Sequence, residues 1–484
     1  MGGFFGVVSR GECIEDLFYG TDYHSHLGTR RGGLAAEDGG FVRFIHDLTN
    51  AQFRSKFEDD LRKMHGRRGI GVISDYEDQP LIIGSHLGVY ALVTVGVVQN
   101  AEALAREMFV PRTTHFAEMA GGEINPTELV AALINQGETF TDGIRRAQEA
   151  VRGSCSMLVL APDGLYAARD AYGRTPVIIG RKDGAWAATL ETCALPNLGY
   201  VIDRFLGPGE VVRLTAEGVE RMAPPGEAMQ ICTFLWVYYG FPASSYESIN
   251  VEVVRNRCGA ALARRETAKV DLVSGIPDSG TGHALGYANA ANVPMERPFV
   301  KYTPTWPRSF MPQDQRIRDL VARMKLIPIR ELIGGKRLLF CEDSIVRGTQ
   351  LTDTIQRLYE AGATEVHMRP ACPPLIHACP FLNFSRSRSE LDLAARRAIA
   401  ELEGTDAASP EGYEDPGSDK YARMVEGIRR RLNLTSLRYQ RLDDLVQAVG
   451  LPKDRLCTYC WDGADPYGLA CEVRAAAARP RGSC

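Results

Sequence analysis

Residues 337–354 read RLLFCEDSIVRGTQLTDT, and this stretch decides how the second half of the chain folds. An apolar run ends in two adjacent acids, Glu342 and Asp343, and a short turn leads to a helix-like segment that begins near Thr352. This order predicts a buried strand that carries two carboxylates to its C-terminal end. The loop that follows would lie at a helix N-terminus, where free backbone N–H groups and the helix dipole favour an anion.

The same loop has the residue types of a phosphate cradle. Gly348 permits a tight turn, and the hydroxyls of Ser344 and Thr349 add donors. Acids beside such a cradle suit a sugar phosphate, because the carboxylates can hold ribose hydroxyls while the loop holds the 5′-phosphate. An ordinary strand-to-helix turn with polar residues is the alternative, and the combination of two acids, a glycine and two hydroxyls argues against it.

Composition and charge exclude several classes of protein. The 484 residues exceed what one hydrophobic core usually serves, so two domains are expected. A net charge of −4 gives no electrostatic reason to expect nucleic acid or an anionic membrane as a partner. No apolar run is long enough to span a bilayer, and residues 1–12 lack the pattern of a secretory signal. A cytoplasmic location is expected, where the twelve cysteines would be thiols or metal ligands rather than disulfides.

The pattern of apolar residues changes near residue 228. Before it, short β-like runs dominate, at 4–8, 69–73, 90–98, 156–160, 165–168 and 210–214, with helix-like segments at 50–64 and 125–133. After a linker at 222–227 (MAPPGE), helices and strands alternate, at 251–268, 270–276, 282–292, 337–341 and 352–361. Residues 385–400 are helix-like, and 404–419 are polar and expected to be flexible. We predict stacked sheets with outer helices at 1–228 and an α/β domain with a parallel sheet at 229–484.

The stretch 342–349, EDSIVRGT, resembles the phosphoribosylpyrophosphate (PRPP) loop of type I phosphoribosyltransferases. It most resembles the DDSIVRGT form of the glutamine PRPP amidotransferase family, with Glu342 in place of the first Asp. Further segments fit the same family, namely 273–287 (VSGIPDSGTGHALGY), 323–326, 361–367, 5–8, 163–174 and 191–194. The resemblance implies an α+β Ntn-hydrolase-like four-layer sandwich, an α/β type I phosphoribosyltransferase domain and a C-terminal metal-cluster region at 376–484.

The resemblance also implies a role for each matching site residue. These roles are ribose binding by Glu342 and Asp343, 5′-phosphate binding by Ser344, Arg347, Gly348 and Thr349, and pyrophosphate binding by Asp278, Ser279 and Gly280. Mg²⁺ would be held through Asp278, Glu342 and Asp343, together with water and substrate oxygens. A tetrapeptide such as PDSG is by itself an ordinary turn, and it becomes specific only together with the later EDSIVRGT run.

Residues 301–315 (KYTPTWPRSFMPQDQ) occupy the family's mobile catalytic loop, whose pattern is KNRYxGRTFI. Lys301 and Arg308 fit that pattern and are expected to touch the substrate. Pro304, Pro307 and Pro312 depart from it and stiffen the segment. Because lids complete such sites, this departure leaves closure over PRPP and delivery of ammonia open.

Class II glutaminases use an N-terminal Cys as the nucleophile and an oxyanion hole that contains an Asn. Here Gly2 stands at the nucleophile position, Ser74 replaces the Arg that clamps glutamine, and Val95 replaces the oxyanion Asn. We predict a domain that keeps the fold and lacks glutaminase activity. Cleavage before Cys13 would free a new N-terminal Cys, but it would also remove the first strand.

Cys457 and Cys460 form a CxxC motif, which alone is compatible with a redox pair, a zinc site or chance. Other members of the resembling family carry a [4Fe–4S] cluster on four cysteines, and Cys232 and Cys379 fill the two remaining positions. The resemblance favours [4Fe–4S]. Four thiolates also suit zinc, and small buried thiols without metal are a third interpretation.

Three functions stay open at this point. The resemblance implies a phosphoribosyltransferase that makes 5-phosphoribosylamine from PRPP and ammonia, with ammonia from solution or from a separate glutaminase. A non-catalytic sensor of PRPP or nucleotides, and a phosphoribosyltransferase with another amine acceptor, are the alternatives. The family forms homo-oligomers, so a homodimer or homotetramer is expected.

Overall fold

The computed structural model describes residues 2–110, 116–117, 119–120, 123–302, 326–382 and 389–471. The predicted site residue Arg308 lies outside the described residues, as do Pro304, Pro307 and Pro312. Every helix in the described ranges is too short or too polar to cross a membrane.

The N-terminal region contains two antiparallel sheets, each covered by helices on its outer face. In spatial order the strands of the first sheet are Val201–Phe205, Ile178–Lys182, Ala185–Thr189, Gly3–Ser9, Arg68–Ser74, Arg31–Glu37 and Phe41–Asp47. Those of the second are Val219–Ala223, Val211–Leu214, Gly164–Ala168, Gly153–Ala161, Gly88–Val98 and Leu81–Ser85. The helices Ile14–Asp22 and Phe53–Leu61 cover the first sheet, and Ala101–Phe109, Pro126–Ile134 and Phe140–Ala150 cover the second.

The strand Gly3–Ser9 shows why these residues form four layers. Phe4 and Val8 pack into the core between the two sheets, whereas Phe5 and Val7 pack against the outer helices. Successive side chains of a strand point to opposite faces, so a strand covered on both faces is a continuous apolar run. The resulting order of helix, sheet, sheet and helix confirms the predicted sandwich.

The C-terminal region is built on a parallel sheet. Its strands, in spatial order, are Leu272–Gly275, Arg337–Glu342, Glu365–Pro370 and Ser436–Leu437. The helices of this region are Val251–Ala263, Gly280–Ala291, Arg330–Ile333, Thr349–Glu360, Ala394–Glu403, Asp419–Arg431, Leu442–Val449 and Tyr459–Asp462. Leu339 and Cys341 face one apolar core and Leu338 and Phe340 face the other, so the strand is buried on both faces, and the parallel sheet of the predicted α/β domain is confirmed.

Short elements connect these layers. Paired two- and three-residue strands are Met119–Ala120 with Glu123–Ile124, Ile231–Cys232 with Leu456–Cys457, Ser245–Tyr246 with Ile249–Asn250, and Phe299–Lys301 with Leu326–Pro328. Single helical turns are Thr192–Ala194, Pro196–Leu198, Leu235–Tyr239, Glu390–Asp392 and Lys453–Arg455.

Several predicted boundaries were wrong. The helix predicted at 251–268 ends at Ala263, the strand predicted at 270–276 is Leu272–Gly275, and the helix-like segment 385–400 becomes the helix Ala394–Glu403. The linker prediction overlaps the strand Val219–Ala223, and the polar segment 404–419 ends where the helix Asp419–Arg431 begins. Cap geometry, which composition does not reveal, fixes such ends. The domain boundary at residue 228 stays a prediction.

Candidate active site

Two loops at the carboxyl end of the parallel sheet form the candidate active site. The strand Leu272–Gly275 pairs with Arg337–Glu342 so that Gly275 lies opposite Cys341. Loop 276–279 and loop 343–348 therefore begin side by side, and the amide of Ile276 donates to the carbonyl oxygen of Cys341 at 3.0 Å. Adjacent loops at this edge are where open α/β sheets bind ligands.

Close backbone approach makes Gly280 necessary at the first turn of the helix Gly280–Ala291. A Cβ atom there would lie 2.4 Å from the carbonyl oxygen of Cys341. The helix begins at Gly280, two residues earlier than the predicted start at 282. The peptide bond between Pro277 and Asp278 is cis.

Asp343 is the centre of the site. It is 5% exposed. The hydroxyl of Ser279 donates to its Oδ2 at 2.5 Å, and the hydroxyl of Ser344 donates to its Oδ1 at 2.6 Å. Both oxygens of one carboxylate thus accept hydroxyl hydrogen bonds, which is the interaction that ribose hydroxyls would make.

The second carboxyl of the site, that of Glu342, has a shifted pKa. Burial raises the pKa of Glu342 well above its usual range, and the charge of Asp343 and a hydrogen bond to it act in the same direction. Two adjacent carboxylates in a partly dry site do not both ionise easily. The pair therefore favours a proton on Glu342 until a cation or a hydroxyl donor approaches.

Lys301 reaches across to loop 276–279. Its Nζ forms an ion pair with Oδ2 of Asp278, and the two side chains are 31% and 71% exposed. An exposed pair of this kind contributes little stability, so ligand phosphates can compete for the lysine at small cost. The structure thus brings Lys301 and Asp278 to the same edge of the site, and their contact with substrate stays a prediction.

The anion cradle lies at the start of the helix Thr349–Glu360. Gly348 adopts a φ of 75° at the N-cap position and has no side chain to cap the first-turn amides. The helix begins at Thr349 rather than at the predicted Thr352, so the predicted hydroxyl donor belongs to the helix itself. Arg347 is exposed, and its guanidinium lies 3.6 Å from the carboxylate of Asp392.

Sequence reasoning missed Arg255, which lies behind the site in the helix Val251–Ala263. It is 3% exposed and donates to the carbonyl oxygens of Trp236, Tyr238 and Gly240 at 2.9 to 3.1 Å. Burial lowers the pKa of this guanidinium, and among its neighbours Asp343 opposes that shift most. The signal was an arginine inside an apolar helical run, VEVVRNRCGAALA.

The three predicted departures from glutaminase chemistry lie in or beside the first region's sheets. A Cβ atom at Gly2 would lie 2.2 Å from the carbonyl oxygen of Ile73. Ser74 is buried, and its hydroxyl accepts from the amide of Tyr76 at 3.2 Å. Val95 is 3% exposed and packs in the core between the sheets.

A buried polar network lies next to Val95. Oε1 of Glu77 accepts from Nε2 of Gln79 at 3.0 Å and from the hydroxyl of Thr127 at 3.3 Å. The amide of Thr94 donates to Oε1 of Gln79 at 2.7 Å. Burial raises the pKa of Glu77. Glu77, Gln79, Thr94 and Thr127 thus hydrogen-bond to one another in this buried position.

The four predicted cluster cysteines meet at the junction of the two regions. Cys232 and Cys457 are register partners in the paired strands Ile231–Cys232 and Leu456–Cys457. A hydrogen bond to Cys379 contributes most to the raised pKa of Cys460, and nearby Cys457 and Cys232 add to it. Yet no three His, Cys, Asp or Glu side chains within the described ranges are spaced to hold a metal ion as they stand. The segments that carry the four cysteines come together, and ligation of a metal by their sulfurs stays a prediction.

The chain is similar over nearly its whole length to enzymes of one family. It is 32% identical to the amidophosphoribosyltransferase of Mycobacterium tuberculosis over 487 residues, covering 97% of this chain and 87% of the relative. Identity to the amidophosphoribosyltransferase of Bacillus subtilis is 30% over 417 residues, covering 83% and 85%. The relative from Synechococcus elongatus is 27% identical, covering 98% and 92%.

Solved structures agree with the sequence relatives. The structure of glutamine PRPP amidotransferase from B. subtilis, complexed with ADP and GMP, has a TM-score of 0.80 to this chain at 27% identity. The match covers 96% of this chain and 97% of that one. No family model matches the chain.

Proposed function

This chain belongs to the amidophosphoribosyltransferase family, and we propose that it transfers the phosphoribosyl group of PRPP to ammonia that its own N-terminal domain does not supply. The observation that carries the transfer is the contact between the two loops, in which Ser279 donates to Asp343 at 2.5 Å. Loop 276–279 offers an anion site for pyrophosphate, and the other loop offers two carboxylates together with the anion cradle at the start of the helix Thr349–Glu360. That pair of functions suits a substrate with phosphate at both ends of a ribose.

The proposed reaction forms a bond between the amine nitrogen and C1′ while the bond from C1′ to pyrophosphate breaks. The leaving pyrophosphate takes the bonding electrons, and the amine releases a proton to water. Asp343 and Glu342 would hold the ribose hydroxyls, and loop 276–279 with Lys301 would receive the developing charge on pyrophosphate. Ser344, Arg347, Gly348 and Thr349 would fix the 5′-phosphate, and Arg308 would add a cation from the catalytic loop.

Mg²⁺ is the expected companion of PRPP. The carboxylates of Asp278, Glu342 and Asp343 have the oxygen donors that this ion prefers, and Mg²⁺ commonly keeps waters and substrate oxygens as its other ligands. Bound there, the ion would neutralise charge on the pyrophosphate.

The proposal that the N-terminal domain does not hydrolyse glutamine rests on Gly2, Ser74 and Val95. A glycine offers no thiol, and Val95 offers no donor to an oxyanion. The buried network of Glu77, Gln79 and Thr94 supports the proposal, because these polar groups hydrogen-bond to one another. Ammonia would come from solution or from a separate glutaminase.

One set of assays tests both halves of the proposal. Pyrophosphate release from PRPP should require ammonium and should not respond to glutamine, and glutamate release should stay at background. Ammonium-independent PRPP binding without turnover would instead support a PRPP or nucleotide sensor. The altered loop at 301–315 favours that alternative, and a screen of other amines would reveal a different acceptor.

We propose a [4Fe–4S] cluster on Cys232, Cys379, Cys457 and Cys460. The three segments that carry the four thiols are neighbours at one junction, and a donor set that is all sulfur fits iron–sulfur or zinc. Bound there, the cluster would tie the domain junction to the C-terminal segment. Analysis of iron, sulfide and zinc in anaerobically purified protein separates the two metals. We further propose a homodimer or homotetramer and a cytoplasmic location.

A further inference from the structure

Arg174 brings a buried positive charge to the four-cysteine site. It lies in loop 170–176 of the N-terminal region and is 2% exposed. Its Nη1 lies 3.2 Å from the sulfur of Cys457, within hydrogen-bond distance. The centre of its guanidinium lies 3.5 Å from the centre of the ring of Phe381, which follows Cys379 by two residues.

Among the described residues, no carboxylate lies within ion-pair distance of this guanidinium. The nearest acid in sequence, Asp170, uses its oxygens to accept from the amides of Tyr172, Arg174 and Thr175. The Nε atom of Arg174 has no hydrogen-bond partner. A buried cation without a counter-charge is costly, and the rings of Phe381 and Tyr172, whose centres lie 3.5 and 5.6 Å from the centre of the guanidinium, offset only part of that cost.

We propose that Arg174 is the counter-ion of an anionic metal–thiolate centre formed by Cys232, Cys379, Cys457 and Cys460. This inference rests on the proposed cluster and deepens it. Four thiolates carry more negative charge than a zinc ion or an oxidised [4Fe–4S] core neutralises, so either centre is an anion of about −2. The guanidinium and the centre would each supply the charge that the other lacks.

The backbone of the same loop also holds the cysteine strand. The amide of Cys232 donates to the carbonyl oxygen of Arg174 at 3.1 Å, and the amide of Gln230 donates to that of Tyr172 at 2.7 Å. Loop 170–176 therefore positions one cysteine through its backbone and faces another through its side chain. The N-terminal domain would thus have a role that is independent of glutamine hydrolysis, namely to complete the environment of the centre.

The test compares wild-type protein with Arg174→Gln, Arg174→Lys and a control, Arg369→Gln. The control removes another buried arginine, which is paired with Glu266 and lies in the parallel sheet. Each protein is purified anaerobically and assayed for bound metal, for the rate of metal loss to a chelator and, where iron is present, for reduction potential. Circular dichroism checks that each variant is folded.

We expect Arg174→Gln to hold metal about tenfold less tightly than wild type, because the loss of an outer-sphere partner of a metal ligand commonly lowers metal affinity by about that factor. An iron centre in this variant should have a lower reduction potential, because a nearby positive charge favours the added electron. Arg174→Lys should fall between the two, and Arg369→Gln should match wild type in metal content.

Two results would overturn the inference about Arg174 while leaving the proposed metal centre intact. If wild type contains metal and Arg174→Gln retains it equally well at an unchanged potential, Arg174 is not the counter-ion. Equal metal loss in Arg174→Gln and Arg369→Gln would assign the effect to general destabilisation. Wild-type protein without metal would overturn the cofactor proposal itself, and this inference with it.

Discussion

The hydroxyl of Ser279 donates to Oδ2 of Asp343 at 2.5 Å, across the gap between two loops that are 64 residues apart in the chain. The contact exists because the strands before the loops are neighbours in a parallel sheet. It joins the loop proposed to hold pyrophosphate to the carboxylate proposed to hold ribose, so the pyrophosphate and the ribose of PRPP would bind to two loops that are hydrogen-bonded to each other.

Asp343→Asn should lower turnover of PRPP by about a hundredfold or more, since the amide loses the charge while keeping the shape. Ser279→Ala should cost less, about tenfold, because a hydrogen bond to a charged group is worth about 1.5 kcal/mol. Calorimetry with PRPP and Mg²⁺ measures binding, and pyrophosphate release measures turnover. Wild-type binding and turnover in Asp343→Asn would contradict the assigned site.

Glu342→Gln should stabilise the unliganded protein while weakening PRPP binding. The raised pKa of Glu342 means that the folded state binds a proton more tightly than the unfolded state does. Its contribution to stability is therefore lost as the pH rises from about 4.5 to the folded-state pKa, and glutamine removes this loss. A gain of about 1 kcal/mol is expected in denaturant unfolding at pH 7. A Glu342→Gln protein less stable than wild type would show that the ionised carboxylate of Glu342 does not destabilise the folded state.

Gly280→Ala should separate the two loops. A helix start ordinarily gains stability from alanine over glycine, but here the added Cβ would lie 2.4 Å from the carbonyl oxygen of Cys341. Backbone cannot yield as a flexible side chain can, so a loss of about 2 kcal/mol and weaker PRPP binding are expected. Gly11→Ala is the control, because nothing lies within 4 Å of its Cβ position. Equal melting temperatures for the two variants would argue against the close approach.

Gly2→Cys should not restore glutaminase activity. The new Cβ would meet the carbonyl oxygen of Ile73 at 2.2 Å, and Ser74 and Val95 still lack the clamp and the oxyanion donor. Release of glutamate from glutamine should stay at background, while ammonium-dependent pyrophosphate release continues as the control. Appreciable glutamate release by this variant would mean that the N-terminal domain still has a functional glutamine pocket.

Acid should destabilise the protein through His283. Burial, and then the charge of Arg255, lower the pKa of His283 to about 3, from 6.5 in an unfolded chain. Because the unfolded state takes up the proton first, stability falls as the pH drops from about 6.5 toward 3, by about 1.4 kcal/mol per pH unit. His283→Asn should show a shallower decline in urea unfolding between pH 7 and 5, and exposed His65→Gln should not. Burial also lowers the pKa of His24, to about 4, so every variant should still lose some stability as the pH falls.

Both fold classes followed from the sequence because their patterns are local. The run at 338–341 is apolar on both faces, and its burial between two cores confirms the strand. Helix ends were less predictable. One helix begins at Thr349, directly after Gly348 at φ 75°, rather than at the predicted Thr352. Another begins at Gly280, where the backbone approaches Cys341, rather than at the predicted residue 282.

The sequence by itself determined the two-region architecture and the family, because strand and helix periods and the EDSIVRGT run are written in consecutive residues. Only the tertiary structure decided which groups meet. It placed Ser279 on Asp343, put Arg255 behind that carboxylate, and brought Arg174 from the N-terminal region to the sulfur of Cys457. The physical reason is that partners far apart in the chain leave no periodic signal, and burial and charge pair them only when the layers pack.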